Sequence, residues 1–285
     1  MRHTVLIALC VGSAFSLSAC QKAEDAEVER ALDTVNVIDE TNLNHVMLNA
    51  ADPGEAVNYF SRAVGENPDR IDLRRGLAYS LVRAKRAQES LPHWEAVVAH
   101  EEGTNEDNVN YADALIRTGD WDKADAVLDS IPPTHETFKR YRLEAMVADS
   151  NQEWEKSDSF YEIAVGLTTK PAGVYNNWGY SKLTRGDYRG AEEMFKRALT
   201  YDPSLFTAKN NLVLARGAQR NYDLPLIRMT QEERAQLLYT LGLAAVKQGD
   251  VNIGKGLLRE AVESHPRHFD AAARSLAALE SNVVN

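Results

Sequence analysis

The sequence predicts an all-α fold, a superhelical solenoid of about six to seven antiparallel helix pairs ended by a capping helix. Three observations predict it. Small residues recur at 56, 90, 124, 157, 191 and 254, the first five spaced 34, 34, 33 and 34 apart. A second small position lies 12 residues before each, at Asn44, Ala78, Ala112, Ala145, Gly179 and Gly242, of which Asn44 alone fits poorly. A bulky residue stands four places after the first slot, at Phe60, Trp94, Leu128, Tyr161, Phe195 and Leu258.

Each element follows from this register. A small residue on both helices lets the pair approach closely, and the bulky residue lies one turn further along the same face. Its expected place is the packing seam with the next repeat. Gly119-Asp120, Gly186-Asp187 and Gly249-Asp250 are turn signals inside the pairs, and Pro68, Pro203 and Pro266 stop the second helices. The register breaks once. After a sound helix at "SLFTAKNNLVLARGAQ", Pro225 stands where the next small slot belongs, at a cost of about 3 kcal/mol in a helix interior. Residues 221–229 therefore read as an extended connector. Thr230-Gln231-Glu232-Glu233 reads as a capping box that restarts the last full pair, and "HFDAAARSLAAL" as the closing helix. The four tryptophans, 94, 121, 154 and 178, fall at helix-packing places and read as core. Six matches in one register make the tetratricopeptide repeat (TPR) pattern, which this chain resembles from residue 37 onward.

The first residues are of another kind. Arg2 precedes the run "VLIALCVGSAFSLSA", which suits a secretory signal and is shorter than the roughly 20 residues needed to span a bilayer. Ser16 and Ser18 allow an ordinary cut before Ala19. Leu17-Ser18-Ala19-Cys20 resembles instead the lipobox of bacterial lipoproteins, which implies cleavage before Cys20 and acylation of its thiol and new amine. Each buried CH₂ contributes about 0.8 kcal/mol, so one chain holds marginally and two or more hold stably. Gln21, where an Asp tends to retain such proteins at the inner membrane, implies the periplasmic face of the outer membrane. The expected organisation is a signal at 1–19, an acidic tether at 20–36 and the solenoid over 37–285. The stretch 21–40 carries Glu24, Asp25, Glu27, Glu29, Asp33, Asp39 and Glu40 against Lys22 and Arg30, which gains nothing from lying on anionic lipid.

Composition narrows the function. The net charge of −10 disfavours nucleic acid. The two cysteines, Cys10 and Cys20, both precede the repeats, so no disulfide framework staples them. No phosphate-binding glycine loop occurs, the seven histidines form no ligand pair on a helix, and there is no Gly-x-Ser-x-Gly elbow. His265 and His268 flank Pro266 and read as a solvated turn. No enzyme activity, metal or cofactor is expected.

Binding is expected on the first helix of each pair. Asn110, Asn177 and Asn211 occupy one register position and resemble the asparagine ladder by which some TPR proteins hold a peptide backbone. An amide donates to a carbonyl and accepts from an N–H at once, for about 0.5–1.5 kcal/mol net per bond. A role in helix pairing is the alternative. Tyr79, Tyr180, Arg83 and Arg142 are placed on the same face, where the arginines could meet a carboxylate of a partner or simply face solvent. The connector leucines and Ile227 either fold onto their own helices or offer an edge to a partner.

The C-terminal part, through "VYNNWGYSKLTRGDYRGAEEMFKRALTYDPSLFTAKNNLVLARGAQRNYDLP" and "MTQEERAQLLYTLGLAAVKQGDVNIGKGLLREAVESHPRHFDAAARSLAAL", resembles the TadD-like TPR lipoproteins of the tight-adherence (Tad/Flp) pilus assembly system in their alphaproteobacterial form. The doubled asparagines at 176–177 and 210–211 and the broken repeat carry that likeness. It implies an outer-membrane scaffold or pilotin whose partners are the pilus secretin or other pilus assembly proteins. The alternative is an envelope adaptor for peptidoglycan enzymes or outer-membrane protein assembly.

Overall fold

The computed structural model describes residues 43–281, all helix, turn and loop, with no strand among them. The signal segment, Cys20 and the tether lie outside the described residues. The chain divides into two compact units, the second beginning at Gly119. The first holds α1 (helical from 43 to 49), α2 (Pro53–Glu66), α3 (Ile71–Arg83), α4 (Ala87–Val98) and α5 (Asn105–Thr118). The second holds α6 (Trp121–Asp129), α7 (Phe138–Ser150), α8 (Trp154–Gly166), α9 (Ala172–Thr184), α10 (Tyr188–Tyr201) and α11 (Phe206–Ala218). It continues through α12 (Gln231–Lys247), α13 (Val251–Ser264) and α14 (Asp270–Ser281). Within each unit, successive helices pack against one another along the chain.

The small slots are where the sequence predicts them. Ala56, Ser90, Ala124, Ser157 and Ala191 are fully buried on the second helices of their pairs, as are Ala78, Ala112 and Ala145 on the first. The bulky residues are also buried, but their place differs in part from the expectation. Phe195 lies over Gly179 and Leu258 over Gly242, each on the first helix of its own pair, so close that a Cβ on either glycine would sit 2.6 and 2.9 Å from the side chain. Phe60 presses in the same way on Gly76 of the following α3. The bulky group thus fills the groove between its own pair and the next helix, and the core cluster of Phe195 includes Leu212 and Ala215 of α11.

The tryptophans correct the sequence reading more plainly. Trp94 is buried, but Trp121, Trp154 and Trp178 are only partly so. Trp178 stacks on Tyr161 and Tyr175 at centroid distances of 6.1 and 6.4 Å, and Trp154 lies under the Arg185 guanidinium.

The turns inside the pairs share one geometry. Gly119, Gly186 and Gly249 have φ of +83, +86 and +87°, and Lys85, Gln152 and Arg220 take the same left-handed region at the corresponding places. The amide after most of these residues reaches five residues back, as Glu153 to Ala148 at 2.8 Å and Asp187 to Lys182 at 2.9 Å, which satisfies a carbonyl at the helix end. Left-handed backbone strains a side-chain-bearing residue and not glycine. Gln152→Gly is therefore expected to raise stability by about 0.5–1 kcal/mol, allowing for glycine's looser unfolded chain, as read from urea denaturation. No gain would mean that the turn carries no strain at Gln152.

The connector leaves helical geometry from residue 221 to 230. Leu224 and Met229 pack against Val213, Leu237 and Leu241, and Ile227 against the cluster of Phe195, whereas Leu226 is fully exposed. Thr230 and Glu233 form the reciprocal capping box, with Thr230 N donating to the Glu233 carboxylate at 2.8 Å and Glu233 N to Thr230 Oγ1 at 3.1 Å. Ala272 of α14 is buried against Leu238 and Ala261, so the last helix covers the apolar side of the last pair.

Candidate peptide-binding cavities

The second unit carries a cavity of about 520 Å³ lined chiefly by α7, α9 and α11, the first helices of their pairs. Asn177 and Asn211 both line it. Asn211 is only 8 % exposed, and its Nδ2 donates to Asn176 Oδ1 at 3.2 Å. The Asn177 amide has a single weak contact, Nδ2 to Met146 Sδ at 3.5 Å, and so keeps most of its capacity for a ligand. Tyr180 stands at the rim, 55 % exposed.

Asn110 and Tyr79 line a different cavity, of about 430 Å³, in the first unit, together with residues of α1 and α3. Tyr79 holds there the register position that Tyr180 holds in the second unit, and it is likewise exposed. The asparagine row is thus divided: Asn177 and Asn211 share one cavity, and Asn110 belongs to another.

The arginines go elsewhere. Arg83 donates through Nη1 to the carbonyl of Leu48 and through Nη2 to that of Ala51 at 3.1 Å, so its charge closes the turn between α1 and α2. Carbonyls at a helix end lack intrahelical partners and draw the guanidinium in. Arg142 is half-buried on α7 and lines neither cavity.

One participant escapes the sequence reading. Asp149, near the end of α7, lines the larger cavity and gathers three hydroxyls. Its Oδ1 accepts from Ser157 and Ser181, both at 2.6 Å, and its Oδ2 from Tyr161 at 3.0 Å. Burial, then the charge and hydrogen bond of Asp149, push the Tyr161 phenol well above its usual range against the pull of Arg142. It stays a donor at every physiological pH.

Behind this node, Asp158 pins α8 to α9. Its carboxylate takes the Arg185 guanidinium at 2.7 Å, the Trp178 indole N–H, and Lys182 at 3.3 Å. Burial raises its pKa, but these donors outweigh burial and hold it below the usual carboxylate range. A carboxyl depressed in the fold contributes stability that is present above the unfolded pKa, near 3.8, and is lost as pH falls through the folded value. Thermal stability of the chain is accordingly expected to drop on acidification below about pH 4, and Asp158→Asn to lessen that drop while lowering stability at neutral pH. A variant whose acid profile matches the unaltered chain would assign the drop to other carboxylates.

Among the described residues, no helix is long and apolar enough to cross a membrane, and no group of three or more His, Cys, Asp or Glu is placed to hold a metal ion.

The family profile described as tetratricopeptide repeat matches residues 47–106, 176–224 and 239–282, together more than half of the chain. No curated protein matches it. Among solved structures, a TPR protein from Parabacteroides merdae is similar with a TM-score of 0.56 at 13% identity, over 84% of this chain and 96% of that one. A thermophilic TPR protein from Thermus thermophilus gives 0.52 at 16% identity, over 61% and 95%. A chain of the APC/C hetero-tetramer Cut9–Hcn1 gives 0.59 at 12% identity over 83% of this chain but 48% of that one, so the chain spans about half of its length. At such identities the likeness is one of fold. With the profile match, it means that the chain belongs to the tetratricopeptide repeat family, whose members are in general non-catalytic scaffolds for protein–protein contact.

Proposed function

We propose that the chain is a lipid-anchored scaffold, held through Cys20 at the periplasmic face of the outer membrane, that assists assembly of a Tad/Flp pilus secretion apparatus. The observation that carries its binding role is the meeting of Asn177 and Asn211 on one cavity, with amide capacity left for the backbone of an extended partner segment. The anchor rests on Leu17-Ser18-Ala19-Cys20 and its outer-membrane destination on Gln21. The pilus assignment rests on the likeness of the C-terminal repeats, with their doubled asparagines and broken pair, to the TadD-like lipoproteins. A scaffold fixed to one leaflet meets its partners locally, so modest groove affinity suffices.

Photo-crosslinking from positions 177 and 211 in cells tests this reading. The expected product is an adduct with the pilus secretin or another pilus assembly protein. Cys20→Ser should move the chain from the membrane to the soluble fraction and abolish that adduct. Capture of peptidoglycan hydrolases or barrel-assembly proteins instead would replace the pilus reading with an envelope adaptor, and a bare Cys20 thiol in the mature chain would remove the anchor.

A further inference from the structure

Asp149 is a carboxylate at an apolar position. Four residues after the small slot of the first helix, the register carries Leu48, Val82, Ile116, Leu183, Gly217 and Val246 at the corresponding places. Only α7 departs from this, and a partly buried carboxylate at such a place needs compensation for the water it loses. The hydroxyls of Ser157, Ser181 and Tyr161 supply part of it. All three donate. An ionised carboxylate offers about four acceptor sites, two on each oxygen, so one on Oδ2 stays open.

The surroundings indicate what would fill it. Asp149 is the one carboxylate among the side chains lining the cavity; no lysine, arginine or histidine joins it. Arg142 acts on Tyr161 from outside the lining and is itself already engaged. Trp121 and Tyr180 add aromatic walls, which attract a cation through the ring quadrupole. Asn177 stands beside them with its amide nearly free. With Arg142 outside the lining and no other cation in it, the cavity offers no charge to pair an acidic side chain or a terminal carboxylate.

We infer that the cavity of the second unit is a socket for a lysine or arginine side chain on an extended partner segment, with Asp149 pairing the cation, Tyr180 and Trp121 flanking it, and the asparagines holding the backbone on either side. This rests on the reading of the cavity as a peptide-binding site and adds the chemistry of the occupant.

The test uses the full chain in detergent and end-blocked nonapeptide pools with a fixed central residue and mixed neutral flanks, read by fluorescence polarisation. Pools centred on arginine or lysine are expected to bind about tenfold tighter than pools centred on citrulline or norleucine, and glutamate pools more weakly still. Asp149→Asn, which keeps an oxygen for the two serines, should cancel the preference while leaving binding of the neutral pools. Tyr180→Leu, at an exposed rim position that folding does not need, should reduce binding of the cationic pools about two- to fivefold and spare the neutral ones. If Asp149→Asn fails to fold, the Tyr180 variant decides alone. Equal binding of charged and neutral pools, a cation preference that survives Asp149→Asn, or one that Tyr180→Leu leaves undiminished overturns the socket and leaves the groove. Binding of no pool, together with no adduct from positions 177 and 211, overturns both.

Discussion

Truncation of Phe195 to alanine is expected to lower the stability of the second unit by about 3–5 kcal/mol, the range for emptying a buried aromatic site. The ring is fully buried, and its edge occupies the space that any side chain at Gly179 would need. It also joins α9, α10 and α11 into one cluster, so its loss removes contact within a pair and with the next helix. The site relaxes poorly on the side of Gly179, Ala208 and Ala215, which have little or no side chain to move into the space left. The reciprocal change has the same cause: a Cβ at residue 179 would stand 2.6 Å from the ring, and Gly179→Ala should cost about 1–3 kcal/mol by overpacking. Combining Gly179→Ala with Phe195→Leu should cost less than the sum of the two single changes, because the smaller side chain frees the volume the methyl needs. Urea denaturation with hydrogen exchange on α9 and α10 measures all of these. A loss below about 1 kcal/mol for Phe195→Ala would mean that the pair is held elsewhere.

What the sequence reveals and what it hides divide along physical lines. Close helix approach leaves one mark per helix, because only a small residue fits where two backbones nearly touch; that is why Ala56, Ala78, Ala112 and Ala145 can be read directly. Turn geometry is half legible. Gly119, Gly186 and Gly249 advertise it, but Lys85, Gln152 and Arg220 adopt the same left-handed backbone with no sign in their chemistry. Proline is an uneven signal. Pro92 stands inside α4, where it forgoes one hydrogen bond, whereas Pro225 falls on a slot that must pack closely and the helix does not form. The connector was therefore readable from the register and not from proline alone. Side chains long enough to choose between partners are the least legible. Arg83 lies on the expected helix, yet the carbonyls of Leu48 and Ala51 at the turn between α1 and α2 take its guanidinium. Three tryptophans at packing positions end only partly buried, whereas Trp94 is fully buried. Asp149 could have been found by asking which single repeat breaks the apolar pattern four residues after the slot.

Asp149→Leu restores the apolar pattern and should nonetheless destabilise the second unit by about 3 kcal/mol or more, since an orphaned buried polar group costs about 1–3 kcal/mol and three hydroxyls lose their acceptor together. The loss belongs to the unpaired partners and not to the worth of the carboxylate. Replacing the whole node, Asp149→Leu with Ser157→Ala, Ser181→Ala and Tyr161→Phe, removes every stranded donor and leaves shapes close to those of the neighbouring repeats. Such wholesale replacement of a buried polar cluster is often neutral or stabilising, so the fourfold variant should return to within about 1 kcal/mol of the unaltered chain. Urea denaturation of the single and fourfold variants side by side decides the point. Recovery would mean that stability does not require a charge at Asp149, and that its presence in the cavity answers to what the cavity binds. A fourfold variant as weak as the single one would instead make the carboxylate a structural tie between α7, α8 and α9, holding the cavity walls in place rather than recognising an occupant.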